Sequence, residues 1–184
     1  YRSIPGLKRA EEAGLVTPIH KTYAIPEKPY ELKIDRIWYT PKNIYVFYHV
    51  ENIDTIAYLG GCFYFEYQEP EKLPKYDPQE SVGRPSEKGV IFNNGFYSCM
   101  ASSTPGDMKE DTAVLYFKPF LQINGTEYTF EPLYIEREQW AKEEPVEEFG
   151  LDVSIEIDGD ILEFYALDAG VSYGKIYFSY NNPN

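Results

Sequence analysis

The sequence predicts a mainly β protein: an antiparallel β-sandwich, immunoglobulin-like in general architecture, with one short N-terminal helix. Three observations predict it. The apolar period changes from 3.6 to 2 after Pro18. Runs rich in β-branched and aromatic residues then recur along the rest of the chain, with turn-forming residues between them. Asn124-Gly125 and Asp158-Gly159 each sit between two such runs, where a two-residue hairpin needs positive backbone φ.

Taken in order, residues 4–14 carry the helix. Ser3 is a candidate cap, Pro5 suits the first turn, and Leu7, Ala10 and Ala13 share the apolar face through which the helix packs. Gly14 supplies the left-handed residue that ends it, and Leu15 can fold back on that face. Tyr30–Tyr39 and Ile44–Val50 follow as strands joined by a turn at Pro41-Lys42-Asn43; the second has almost no polar face and reads as a central strand covered on both sides. Leu59–Gln68, Thr112–Lys118, Phe120–Ile123 and Thr126–Phe130 are further strands. Leu151–Ile157 alternates apolar with polar, Ile161–Leu167 returns through Asp158-Gly159, and Ser172–Tyr180 closes the chain. The total is eight or nine strands, the arithmetic of a sandwich.

Two stretches interrupt the pattern. Glu69–Lys88 carries four prolines and many charges and is expected to be a long surface loop. Glu143–Phe149 reads as an acidic linker after a helical turn around Arg137–Lys142. The chain is expected to form one domain over 1–184, any subdomain boundary falling near 131–150. The last 35 residues, with three strands, need something to pack against. The chain opens on Tyr1 rather than Met and reads as part of a longer protein.

Composition narrows the function classes. Seventeen basic against thirty acidic residues leave a net charge of −13, which repels phosphate backbones and makes nucleic acid an unsuitable partner. An apolar share of 43% is too high for a disordered acidic tail. No apolar run reaches the roughly 20 residues of a membrane helix.

The residues that carry chemistry elsewhere do not assemble into a pattern here. Cys62 and Cys99 fit one disulfide or two packed thiols, and spacing does not choose between them; there is no CxxC. His20 and His49 lack a second histidine or a carboxylate at metal-binding spacing, and each reads as a satisfied core or edge residue. No GxSxG and no glycine-rich phosphate loop is present; Gly60-Gly61 and Lys88-Gly89 read as turn or bulge elements. Asp158-Gly159-Asp160 lacks the remainder of a calcium loop, and Asn124-Gly125-Thr126 matches a glycosylation sequon that the hairpin already explains. The expectation is therefore no catalytic residue, no metal and no cofactor.

The excess of aromatics, 18 Tyr and 11 Phe, has two readings. Tyr23, Tyr39, Tyr48, Tyr58, Tyr64 and their neighbours could form a sugar-binding platform on a sandwich face, or could be half-buried strand residues with one wet end.

Ile4-Pro5-Gly6-Leu7, Ala13-Gly14-Leu15-Val16 and Pro18-Ile19 come first, then Tyr30–Ile37, Ile44–Val50 and Ala57-Tyr58-Leu59-Gly60-Gly61. In this order they resemble a domain family of unknown function from low-GC Gram-positive bacteria. Its members form extracellular parts of single-pass membrane proteins related to anti-sigma factors. The resemblance covers about the first third of the chain. It implies a location on the outer face of the cell membrane, an anchoring helix upstream of Tyr1, and a non-catalytic sensory or interaction role, with no active-site residues. The alternative is a module that binds carbohydrate or wall polymer. For the first role, the expected partner is a protein or peptide outside the cell. The expected docking surface is the loop Glu69–Lys88 with Tyr64, Tyr67 and Tyr76, because its prolines lower the ordering cost of binding.

Overall fold

The computed structural model describes residue 4 and residues 6–72, 89–105 and 112–181. The protein is mainly β, built of antiparallel sheets, with a short N-terminal helix α1 (Leu7–Glu12). The remaining elements in chain order are β1 (Val16–Ala24), β2 (Glu31–Tyr39), β3 (Asn43–Glu51), β4 (Ala57–Phe65), a 3-10 turn (Pro70–Lys72), β5 (Val90–Phe92), β6 (Gly95–Ser103), β7 (Val114–Ile123), β8 (Thr126–Thr129), β9 (Leu133–Glu136), α2 (Arg137–Trp140), β10 (Glu147–Ile157), β11 (Asp160–Ala169) and β12 (Gly174–Asn181). They fall into two compact units, Tyr1–Ile4 with Gly14–Lys142, and Pro5–Ala13 with Glu143–Asn184.

The first unit is an antiparallel β-sandwich. One sheet has the order β1-β2-β3-β6-β5; in the other, β7 pairs with β4 along one side and with β8 and β9 along its opposite side. Leu32, Ile34, Val46, Val50, Phe96 and Met100 from the first sheet share one buried cluster with Leu59, Phe63, Phe65, Leu115, Phe117 and Leu121 from the second. As its composition predicts, β3 is central and covered on both sides: Phe47 and Tyr48 point to opposite faces and both are buried. The turn between β2 and β3 is closed by Thr40, whose buried hydroxyl accepts the Asn43 amide at 2.9 Å. A capping box formed by Glu136 and Gln139 starts α2.

Several expectations are corrected. Helix α1 starts after Gly6 (φ 79) and ends before Gly14 (φ 72), so it is shorter than residues 4–14. Leu7 and Ala10 are buried, but Ala13 lies past the last helical residue and is exposed. Ser3 and Pro5 lie outside the described residues. The two strands expected at Thr112–Lys118 and Phe120–Ile123 are one, β7, which starts at Val114 and runs through Pro119. The Pro119 carbonyl accepts the Phe130 amide at 3.2 Å, so the side on which its N–H is missing faces β8 and β9. There it falls in the gap between them, since β8 pairs with 120–123 and β9 with 114–117.

Gly60 and Gly61 serve neither turn nor bulge, because the β4–β7 register is unbroken. A Cβ on Gly60 would lie 2.2 Å from the Phe120 ring, and Gly61 sits at φ +148 against the Lys118 carbonyl. Their function is close approach. The expected acidic linker Glu143–Phe149 is strand from Glu147 onward, paired with Leu167–Ala169.

The second unit contains α1 and a three-stranded meander, β10-β11-β12. Asp158 (φ 53) and Gly159 (φ 89) form its first hairpin turn. At the second, the Glu144 carboxylate accepts both the amide and the hydroxyl of Ser172.

Candidate functional site

The tyrosines singled out for docking are only partly brought together. Tyr64 lies on the β4 face opposite the sandwich core, is 8% exposed, and stacks on Tyr116 of β7 with ring centroids 5.1 Å apart. Tyr134 of β9 meets Tyr116 edge-on at 5.1 Å, which completes a row across three strands. Burial, followed by the neighbouring Cys62 and tyrosines, pushes the Tyr64 hydroxyl above the ordinary phenol range. Tyr67 packs on Phe65 against the core, its hydroxyl 3.5 Å from that of Thr112. Tyr76, with residues 73–88 of the expected loop, lies outside the described residues.

The candidate reactive groups are placed as follows. Cys62 and Cys99 are buried thiols, and Cys99 Sγ donates to the Met100 carbonyl at 3.5 Å. His20 occupies a bulge in β1 at φ 54. His49 stacks on Tyr97 at 4.9 Å, with Nδ1 2.9 Å from Asp35 and Nε2 3.4 Å from Glu51. Lys33 completes the chain at 2.7 Å from Glu51. Its hydrogen bond, then that of His49, holds the Glu51 carboxyl below the usual carboxylate range. The sequence reading missed these carboxylates, although Glu51 is two residues from His49 on one strand face. Among the described residues no group of three or more histidine, cysteine or acidic side chains could hold a metal ion.

The largest departure from an ordinary buried sheet is in β10–β12. Opposed residues share a face: Val153, Phe164 and Phe178 are partners across the sheet, as are Ile155, Leu162 and Tyr180. Strand alternation puts Ile176 on the same face as Phe178, and its register partners Leu167 and Phe149 with it. Ile157 extends the row. Ser154, Glu156, Glu163, Asp168, Lys175 and Ser179 occupy the opposite face, tied by Ser179–Glu163 (3.2 Å) and Tyr177–Asp168 (2.6 Å). The sheet is thus amphipathic, as the alternation in Leu151–Ile157 predicts.

Its apolar face, however, is in water. Phe149, Val153, Ile155, Ile157, Ile176, Phe178 and Tyr180 are 43–58% exposed, and only the central Leu162, Phe164 and Leu167 are half-buried. Between Glu147 at one end and Asp160 at the other, the paired positions of this face carry no charge, and Asp160 accepts the Tyr180 hydroxyl at 2.5 Å. Such a surface offers burial.

No protein-family model, no curated protein and no solved structure matches the chain.

Proposed function

We propose that the chain is a non-catalytic extracellular interaction domain, the sensory portion of a membrane-anchored regulatory protein of the anti-sigma-factor type. One observation carries the interaction role: the apolar face of β10–β12 is left in water, where burying it would be favourable. A protein surface of matching uncharged, apolar chemistry is the partner that gains from it. The regulatory and anchored part of the reading rests on the ordered motifs from Ile4 to Gly61 that resemble such domains.

The tyrosine row Tyr64, Tyr116 and Tyr134 is what favours a carbohydrate-binding module. Sugar C–H groups stack on ring faces, and Tyr64 and Tyr116 turn theirs toward each other, so Tyr134, at 63% exposure, is the best presented of the three. The interaction reading is better supported. In cells displaying the full protein, Ile155→Asp with Phe178→Asp should change the output of the regulated promoter. Unaltered output, with the domain displayed at normal level, would overturn the reading.

A further inference from the structure

We infer that the partner of the β10–β12 face is a second copy of this chain, the two sheets packing face to face as an isologous dimer. The inference rests on the interaction reading and names the occupant of that surface.

Area is the first argument. The three aromatics of this face present roughly 150–250 Å² each when free and the four aliphatics less, so with about half of each exposed the seven offer on the order of 600 Å². That lies at the top of the range for the largest apolar patches of typical monomers, about 300–600 Å², and approaches the roughly 800 Å² per partner of a standard interface. Self-complementarity is the second. A face with no charge between its ends needs a partner face with none, and an identical copy supplies one by symmetry.

Charge placement is the third. Residues 143–184 hold ten acidic side chains and one lysine. Glu156, Glu163 and Asp168 lie on the opposite face and stay in water when two apolar faces meet. Sheets pack about 10 Å apart, so carboxylates on the two outer faces are separated by more than the ~8 Å screening length of physiological salt. The product is a six-stranded sandwich, which gives each three-stranded sheet the packing partner it needs for stability.

The test is sedimentation equilibrium on the 184-residue chain. The expected result is a species of twice the 21.3 kDa chain mass, with association unchanged or strengthened as salt rises, because both copies are acidic. Ile155→Asp with Phe178→Asp should weaken association at least ~100-fold, because the dimer would bury four unpaired carboxylates. Both residues are exposed in the chain, so the far-UV circular dichroism should not change. Tyr165→Asp, on the other face at 56% exposure, should leave association intact. Hydrogen exchange on the unaltered chain gives a readout free of substitutions: protection of 153–157 and 176–180 should rise with protein concentration. A monomer at every concentration, a dimer that survives the double substitution, or concentration-independent exchange would each overturn the inference. A monomeric chain whose double variant still alters promoter output would refute the second copy alone; one whose variant does not would refute the interaction role as well.

Discussion

Tyr48→Phe removes one oxygen and should cost far more than its size suggests. Tyr48 is 2% exposed, and its hydroxyl reaches from β3 in one sheet to β4 in the other. It donates to the Ala57 carbonyl at 3.1 Å and accepts the Leu59 amide at 3.1 Å. Because β4 is the outermost strand of its sheet, polar groups along its outer edge have no strand beside them, and this hydroxyl takes two of them. Phenylalanine fills the same space but leaves an amide and a carbonyl in a dry interior. At about 1–3 kcal/mol for each unsatisfied group, with the carbonyl at the low end, the loss should be about 2–4 kcal/mol. That corresponds to a fall in Tm on the order of 10 °C. Urea unfolding followed by the fluorescence of Trp38 and Trp140, both buried in the same unit, reads this directly as a lower midpoint at constant slope. Tyr58→Phe, at a 41% exposed position, is the control and should be silent. A Tyr48→Phe unfolding free energy within about 0.5 kcal/mol of that of the unaltered chain would show that the hydroxyl does not clip the two sheets together.

Two further outcomes are expected. Gly60→Ala should destabilise the sandwich by about 1–3 kcal/mol in the same assay, since the new Cβ would lie 2.2 Å from Phe120 and either ring or strand must shift; a stability equal to the unaltered chain would refute the close-approach role. The Tyr23 hydroxyl is pushed up to about 12 by burial and then by Glu131, so its contribution is complete below pH 10 and lost as pH rises through 12. Tyr23→Phe should therefore lose about 1 kcal/mol less stability than the parent between these pH values, since solvent screens part of the effect at a half-buried hydroxyl, and parallel pH profiles would contradict the assignment.

What was legible in the sequence follows from how local its cause is. Asn124-Gly125 and Asp158-Gly159 were readable because the turn itself requires positive φ, at 49 and 79, and 53 and 89. The same signal stands at Asn93-Asn94 (φ 47 and 59), yet the hairpin of β5 and β6 was missed because Val90–Phe92 is only three residues long. Pro119 split one strand into two on paper. Whether its missing N–H matters depends on the gap between β8 and β9, which only the pairing reveals. Gly60 and Gly61 looked like punctuation, because the ring and carbonyl that exclude a side chain lie near residues 117–120. For the candidate surface, the alternation of Val153, Ile155 and Ile157 marked an apolar face correctly. Periodicity does not say whether such a face is covered, whereas the tyrosines beside the proline-rich loop stand out by composition alone.

The two units also differ in how far apart along the chain their partners lie. In the sandwich, Asn43 pairs with Ser103 and Phe65 with Leu115, so neither sheet can close until long intervening segments have been gathered in. In β10–β12 the widest pairing, Glu147 with Ala169, spans one hairpin. Loop closure favours the nearer contacts, and hairpins zip in about 1–10 μs whereas sandwiches of non-local strands take milliseconds to seconds. Refolding should accordingly begin in the local meanders, β1-β2-β3 and β10-β11-β12, with the β3–β6 and β4–β7 pairings closing last, and during synthesis β3 must wait for β6 to emerge before its second edge is paired.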